Sequence, residues 1–239
     1  ICAQLHCMTK YIYTLLVLFM VVKSNAQSGA TESNKSGYSM PSRDYVMIQI
    51  GYEGWSGAPD SIKIGGIGRA INAYLCYDFP LAKSNFSFAA GAGVGVSNIY
   101  LNNQMIRLSD TNTAIRFVPE ANNYKKYKMT TTYVEAPFEL RFFSDKNNRN
   151  KGIKAAIGLK VGALISSHTK GKYTVNNKPI IEKVSTKRYL ETIRYSGTLR
   201  LGYGNFSVYG QYSIGSLFKL NNGPENVRPF QIGISINGM

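Results

Sequence analysis

Hydrolytic or transfer chemistry needs a nucleophile beside a base, and metal chemistry needs clustered ligands. The sequence offers little of either. His6 lies upstream of Met8, the first methionine, which leaves His168 beside Ser166 and Ser167, with Glu182 and Glu191 farther along. Neighbouring side chains on an extended chain point to opposite faces. Ser167 and His168 therefore do not meet, and Ser166 and His168 share a face only where a loop is expected to begin. A solvated loop histidine is the expected state, so no catalytic residue is assigned. Cys76 and His168 stand alone and the carboxylates are scattered, so no metal-ligand spacing exists. The runs GGIG and GAGVG precede no helix and are not phosphate loops. The expectation is a non-enzymatic protein without metal or cofactor.

If the residues do not build an active site, the elements that hold them carry the argument. The 239-residue chain has 17 Tyr, 11 Phe and 23 Gly, but only 17% charged residues. Soluble domains average about 25% charged residues, so the balance is that of a glycine-rich β protein. The net charge of +15 suggests nucleic acid at first sight. The cations are spread through polar connections, however, and form no basic helix or RNA-binding motif, so nucleic acid is not an expected partner.

Residues 1–7 are read as an upstream segment ahead of the expected start at Met8. From there Lys10 supplies a positive end, Tyr11–Val22 an apolar stretch, and Ser24-Asn25-Ala26 a small-x-small site. That pattern predicts a secretory signal peptide over 8–26, cleaved between Ala26 and Gln27. The apolar stretch is too short to span a bilayer. Residues 27–44 are small and polar and are expected to be a disordered leader.

From residue 45 to 239 a period of two replaces any helical period. Phe86, Phe88, Ala90, Ala92, Val94 and Val96 alternate with Ser87, Ala89, Gly91, Gly93, Gly95 and Ser97. A second face made only of tiny residues suits a crowded barrel interior better than open solvent. Similar alternation over 153–166, 206–215 and 230–236, with weaker strands at 45–55, 66–79, 129–143 and 191–203, gives eight strands. The links at 80–85, 144–151 and 204–205 are short, while those at 56–65, 101–128, 167–190 and 217–229 are long. Short turns at one end and long loops at the other mark an antiparallel up-and-down transmembrane β-barrel of outer-membrane type. Tyr52, Trp55, Tyr77, Phe79, Phe142, Phe143, Tyr203, Phe206 and Phe230 lie near strand ends and would supply its aromatic girdles.

This alternation turns several charges inward: Glu53, Asp78, Glu135, Glu139, Arg141, Lys154, Lys160, Arg194 and Arg200. A symmetric turn over 144–151 would set Glu135 directly opposite Lys160. The expected role is a lumen-filling ion network, with a proton or ion path as the alternative. Eight strands leave room for side chains and no open pore. Bulky inward Tyr74, Tyr209 and Leu164 argue against a ligand cavity. Pro137 falls mid-strand facing inward, where a bulge or an unpaired stretch is expected. The long loops carry Lys125, Lys126 and Lys128, then Lys170, Lys172, Lys187 and Arg188. Cations there would be drawn to the phosphates of lipopolysaccharide.

The stretches YVEAPFELRFF, IKAAIGLKVGALISSHTK and SLFKLNNGPENVRPFQIGISI resemble the PorT-like outer-membrane β-barrel proteins of the Bacteroidetes, from about residue 45 onward. The Asn-Ala-Gln at the expected cleavage site is similar to that group as well. The resemblance implies the barrel fold and outer-membrane location, and one branch of the family is implied in protein export by the type IX secretion machinery. The expected role is structural or accessory, with outer-membrane lipids and other envelope proteins as partners. The alternatives are an outer-membrane hydrolase or acyltransferase acting on lipid A or peptides, and a lipid- or small-ligand-binding barrel.

Overall fold

The computed structural model describes residues 44–81, 84–107, 114–120, 122–145 and 152–237. The expected signal peptide, its Ala26–Gln27 cleavage point and nearly all of the polar leader lie outside these residues. The described chain is all β, with eleven strands in order. They are β1 (Asp44–Ser56), β2 (Arg69–Pro80), β3 (Phe86–Leu101), β4 (Gln104–Arg107), β5 (Arg116–Pro119), β6 (Lys126–Phe143), β7 (Ile153–Val175), β8 (Lys178–Ser185), β9 (Ile193–Tyr203), β10 (Phe206–Ser213) and β11 (Arg228–Asn237).

Eight of these close into an antiparallel barrel in the order β1-β2-β3-β6-β7-β9-β10-β11, with β11 pairing back onto β1. Closure satisfies every wall strand on both edges, which is what a strand needs to sit in a bilayer. The three short connections share one end with Asp44 and Asn237, and the four long ones occupy the other. The Gly204-Asn205 turn is as tight as its two residues suggest: Gly204 takes φ +60 and Tyr203 pairs with Phe206.

The walls are inverted relative to a soluble protein. Ile157 is 63% exposed on the outside, whereas Lys160, three residues on, is 1% exposed in the lumen. Ile48, Ile50, Ile71, Leu75, Leu199, Val208, Ile232 and Ile234 extend this apolar exterior around the barrel. The tiny face of β3 does point inward. A Cβ at Gly93 would strike the backbone and ring of Tyr74, and one at Gly95 would meet Asn72 and Glu135, so glycine there makes room for large polar neighbours.

Four expectations are corrected. The β6–β7 register sets Glu135 opposite Gly162 and Pro137 opposite Lys160, so Glu135 and Lys160 are not a directly opposed pair. The register shift comes between Thr132 and Tyr133, where Ile165 of β7 is the extra residue, and not at Pro137. Pro137 leaves the unpaired stretch that was its other expected outcome, on the β3 side: Ala90 pairs with Phe138 and Gly93 with Glu135, in unchanged register. Beyond Ile165 the phase of β7 inverts, turning Ser167 and Thr169 inward and Ser166 outward. Finally, Trp55 and Phe143 point inward and are 7% exposed, so neither belongs to an exterior girdle. A girdle does form at the short-turn end, where the Phe88 ring meets Phe79 and Phe138 and the Phe86 ring meets Phe142.

The long connections are folded. β4 and β5 form a small hairpin within one of them. β7 runs past the barrel wall to pair with β8 around Asn176-Asn177, whose φ values of 48 and 60 suit a primed hairpin turn. Trp55, Ile106, Tyr127, Tyr133, Leu164, Tyr189, Leu217, Phe218 and Val227 pack into one apolar cluster across this end. The Phe218 ring meets Trp55 at 5.9 Å and Phe117 at 6.2 Å, both edge-on. A backbone bond from Ile115 to Asn222 joins two of the loops, and one from Leu217 to Val227 closes the β10–β11 connection on itself.

Candidate functional site

The lumen below this cap is filled with hydrogen-bonded polar side chains, because inward positions on every wall strand alternate with lipid-facing apolar ones. Charged residues there must be paired to avoid a large desolvation cost. Glu135 on β6 accepts from Arg194 Nη2 on β9 at 2.6 Å and from the Tyr74 hydroxyl on β2 at 2.5 Å. Arg194 also lies 3.9 Å from the centre of the Tyr133 ring. Lys160 Nζ donates at 2.9 Å to each of Tyr74 OH, Gln49 Oε1 and Gln211 Oε1. Glu135 and Lys160 thus share Tyr74 as a bridge, and no ion pair joins them directly.

Glu53 completes this level: Ser97 Oγ and Gln231 Nε2 donate to it, and Asn72 donates in turn to Gln231. A second level lies nearer the short turns. Glu139 accepts from Arg141 Nε at 2.8 Å and from Arg200 Nη2 at 2.6 Å, and Arg141 reaches Asp78 at 2.8 Å. Lys154 is only half-buried there, its ammonium 5.8 Å from the Phe143 ring centre. Glu53, Asp78, Glu135, Glu139, Arg141, Lys160, Arg194 and Arg200, drawn from β1, β2, β6, β7 and β9, are bonded within this network. The neutral partners Gln49, Asn72, Tyr74, Gln211 and Gln231 were missed by looking only for charges. Their signal was inward parity on strands whose opposite face is apolar.

His168 lies on the extension of β7 beyond the barrel wall, outside the membrane-spanning part. It is partly buried, and the Lys183, Lys128 and Lys170 charges combine with that burial to push its imidazole below the ordinary histidine range. Ser166 shares its outward face, while Ser167 is buried on the inner one. Glu182 is engaged elsewhere: its carboxylate accepts from the Tyr124 hydroxyl at 2.7 Å in the cap. Glu191 bonds through its backbone to Leu217. The residues that could have made a base and nucleophile are thus dispersed. Among the described residues no group of three or more His, Cys, Asp or Glu side chains could hold a metal ion.

The basic residues of the long-loop end divide into two sets. Lys126 and Lys128 of β6 lie directly opposite Lys172 and Lys170 of β7, on the outward face. Lys125 bonds through its backbone to Lys172. Lys187 and Arg188 belong to the β8–β9 connection, where Arg188 stands 5.5 Å over the Tyr189 ring. Farther along the same outer face, Gly197 and Gly210 leave an exterior groove of about 790 Å³ lined by Leu159, Leu199, Tyr212, Phe230 and Ile232.

The sequence matches the family described as outer membrane protein beta-barrel domain over residues 30–222. No curated protein matches. Among solved structures, a mutant porin of Rh. blastica aligns over 81% of this chain and 98% of its own, at 10% identity and a TM-score of 0.17, which carries no structural argument.

Proposed function

Because this chain belongs to the outer membrane protein beta-barrel domain family, we propose that it acts as a closed structural or accessory barrel of the outer membrane and not as a channel or enzyme. The observation that carries this reading is the lumen: bonded side chains occupy it, and an apolar cap lies across the long-loop end. The export signal read over residues 8–26 and the three stretches resembling PorT-like barrels support delivery to that membrane and a place among envelope assemblies. Cations on the long-loop end support contact with anionic lipopolysaccharide.

The test is conductance of the refolded full chain in planar bilayers. No stable single-channel steps are expected, and steps at neutral pH would overturn the reading. Heat-modifiable gel migration checks insertion in the same preparation. Co-purification from envelopes checks the accessory role: reproducible envelope-protein partners are expected, and a barrel that always purifies alone would argue against it.

A further inference from the structure

The exterior of the barrel carries a cationic ledge immediately above its apolar belt. Directly paired residues share a face, and the register carries one row from Tyr100 through Lys128 and Lys170 to Lys183. The next row outward pairs Lys126 with Lys172. The row beneath runs from Arg69 through Asn98 and Thr130 to His168. Six basic residues from four strands therefore converge on one outward patch, with a histidine at its lower edge.

Its height is set by what lies around it. Below it on the same face of β6 come Val134, Phe138 and Leu140, and on β2 Ile71 and Leu75, all exposed and apolar. Tyr52 pairs with Arg69 and Tyr100 with Lys128, so aromatic rings sit at the level of the cations. That combination of aromatic and basic residues over an apolar band marks a membrane interface.

Like charges held directly opposite one another oppose folding, and here three stand in a row. Among the described residues none of Arg69, Lys126, Lys128, Lys170, Lys172 and Lys183 forms an ion pair with a carboxylate. The acid of β8, Glu182, faces the other way into the cap, on Tyr124. Lys128 is also held in place: its Nζ donates to Asn98 Oδ1 at 2.6 Å, and that oxygen accepts from Thr130 Oγ1 at 2.9 Å. A crowded, oriented and uncompensated set of ammonium groups at a bilayer surface is built for a multiply charged anion.

We propose that this ledge binds the phosphate groups of a phosphorylated lipid in the outer leaflet, whose acyl chains lie against the apolar belt beneath. The proposal rests on the membrane-embedded reading above and makes it specific. Arg69, Lys126, Lys128, Lys170, Lys172 and Lys183 would hold the phosphates, while Lys187 and Arg188 would take no part.

The experiment refolds the full chain in neutral detergent micelles and adds diphosphoryl lipid A, its dephosphorylated form, or inorganic pyrophosphate. Lipid retention is read by native mass spectrometry, and stability by the temperature of the heat-modifiable gel shift. Diphosphoryl lipid A is expected to be retained and to raise that temperature. The K128Q/K170Q/K183Q variant should bind it on the order of 100-fold more weakly, since each interfacial cation contributes appreciably to anionic-lipid affinity. Without lipid the same variant should be at least as stable as the parent, because the repulsion is gone. The K187Q/R188Q control should bind as the parent does. Should the triple variant fail to fold, Lys170→Gln alone is expected to weaken binding about fivefold. Equal binding of dephosphorylated lipid would overturn the proposal in favour of apolar adhesion. An equal shift from pyrophosphate would overturn it in favour of a free-anion site, and unchanged binding by the variants would overturn it outright. A chain that shows no heat-modifiable form in any micelle would instead sink the barrel reading on which it rests.

Discussion

Lys160 is 1% exposed, yet its three hydrogen bonds go to two amide oxygens and a phenol and not to a carboxylate. Its charge is balanced one step away, through Tyr74 to Glu135, and Glu135 is itself anchored by Arg194. Removing one member of a buried ion pair strands the other, which costs about 3–5 kcal/mol. Glu135→Ala and Arg194→Ala are each expected to lose about that much in denaturant unfolding, with a double mutant well short of the sum. A full sum would mean the pair is not coupled. In the cap, burial and the Glu182 carboxylate push the Tyr124 hydroxyl up to about 12, from an ordinary value of 10.0. Its bond to Glu182 therefore stabilises the fold fully below pH 10 and loses that contribution as pH climbs through about 12. Tyr124→Phe should flatten that alkaline decline and leave stability at lower pH reduced by at most about 1 kcal/mol, because the Glu182 end of the bond is exposed to water, as measured by unfolding across the pH range.

At the scale of elements, the wall strands were readable because a lipid-facing strand must be apolar at alternate positions and a lumen of this size tolerates only small or bonded residues opposite. That is why Gly93 and Gly95 mark the inner face of β3 in the sequence itself. What could not be read was anything depending on register. Neither the length of the 144–151 link nor the alternation says where an extra residue is inserted, so Glu135 was set against Lys160 when Gly162 lies there. Pro137 was legible as an unpaired stretch, because its missing donor is absorbed by a gap facing β3 without displacing the strand. The long links hid their strands because Lys170–Val175 is short and its apolar face, Tyr173 and Val175, is interrupted by Gly171. The Asn176-Asn177 pair was the one local signal of a hairpin. Of the lumen site, the charged members were legible from parity, while the bonds among them depend on which strands become neighbours.

For the molecule as a whole, the wall and the cap are held by different forces: closed ladders and buried ion pairs in one, aromatic packing in the other. Phe218 is 2% exposed between Trp55 and Phe117. Phe218→Ala is expected to cost the cap about 3–5 kcal/mol. Limited proteolysis of the long loops should then accelerate while heat-modifiable migration of the barrel persists; simultaneous loss of both would show that wall and cap unfold as one. The extra residue at Ile165 adds a condition of a different kind. Below it, even-numbered side chains of β7 read into the lumen; above it, odd-numbered ones do. The strand works like a text with one inserted letter, and its outer half is intelligible only in the shifted frame. Deleting Ile165 would join Leu164 directly to Ser166, restore one unbroken alternation along the strand, and leave Lys170 and Lys172 outside and Tyr173 against the aromatic cap. A barrel that inserts with protease-resistant loops and keeps its affinity for phosphorylated lipid is the expected outcome of that single deletion, whereas loss of either would show that the bulge itself shapes the outer half of the strand.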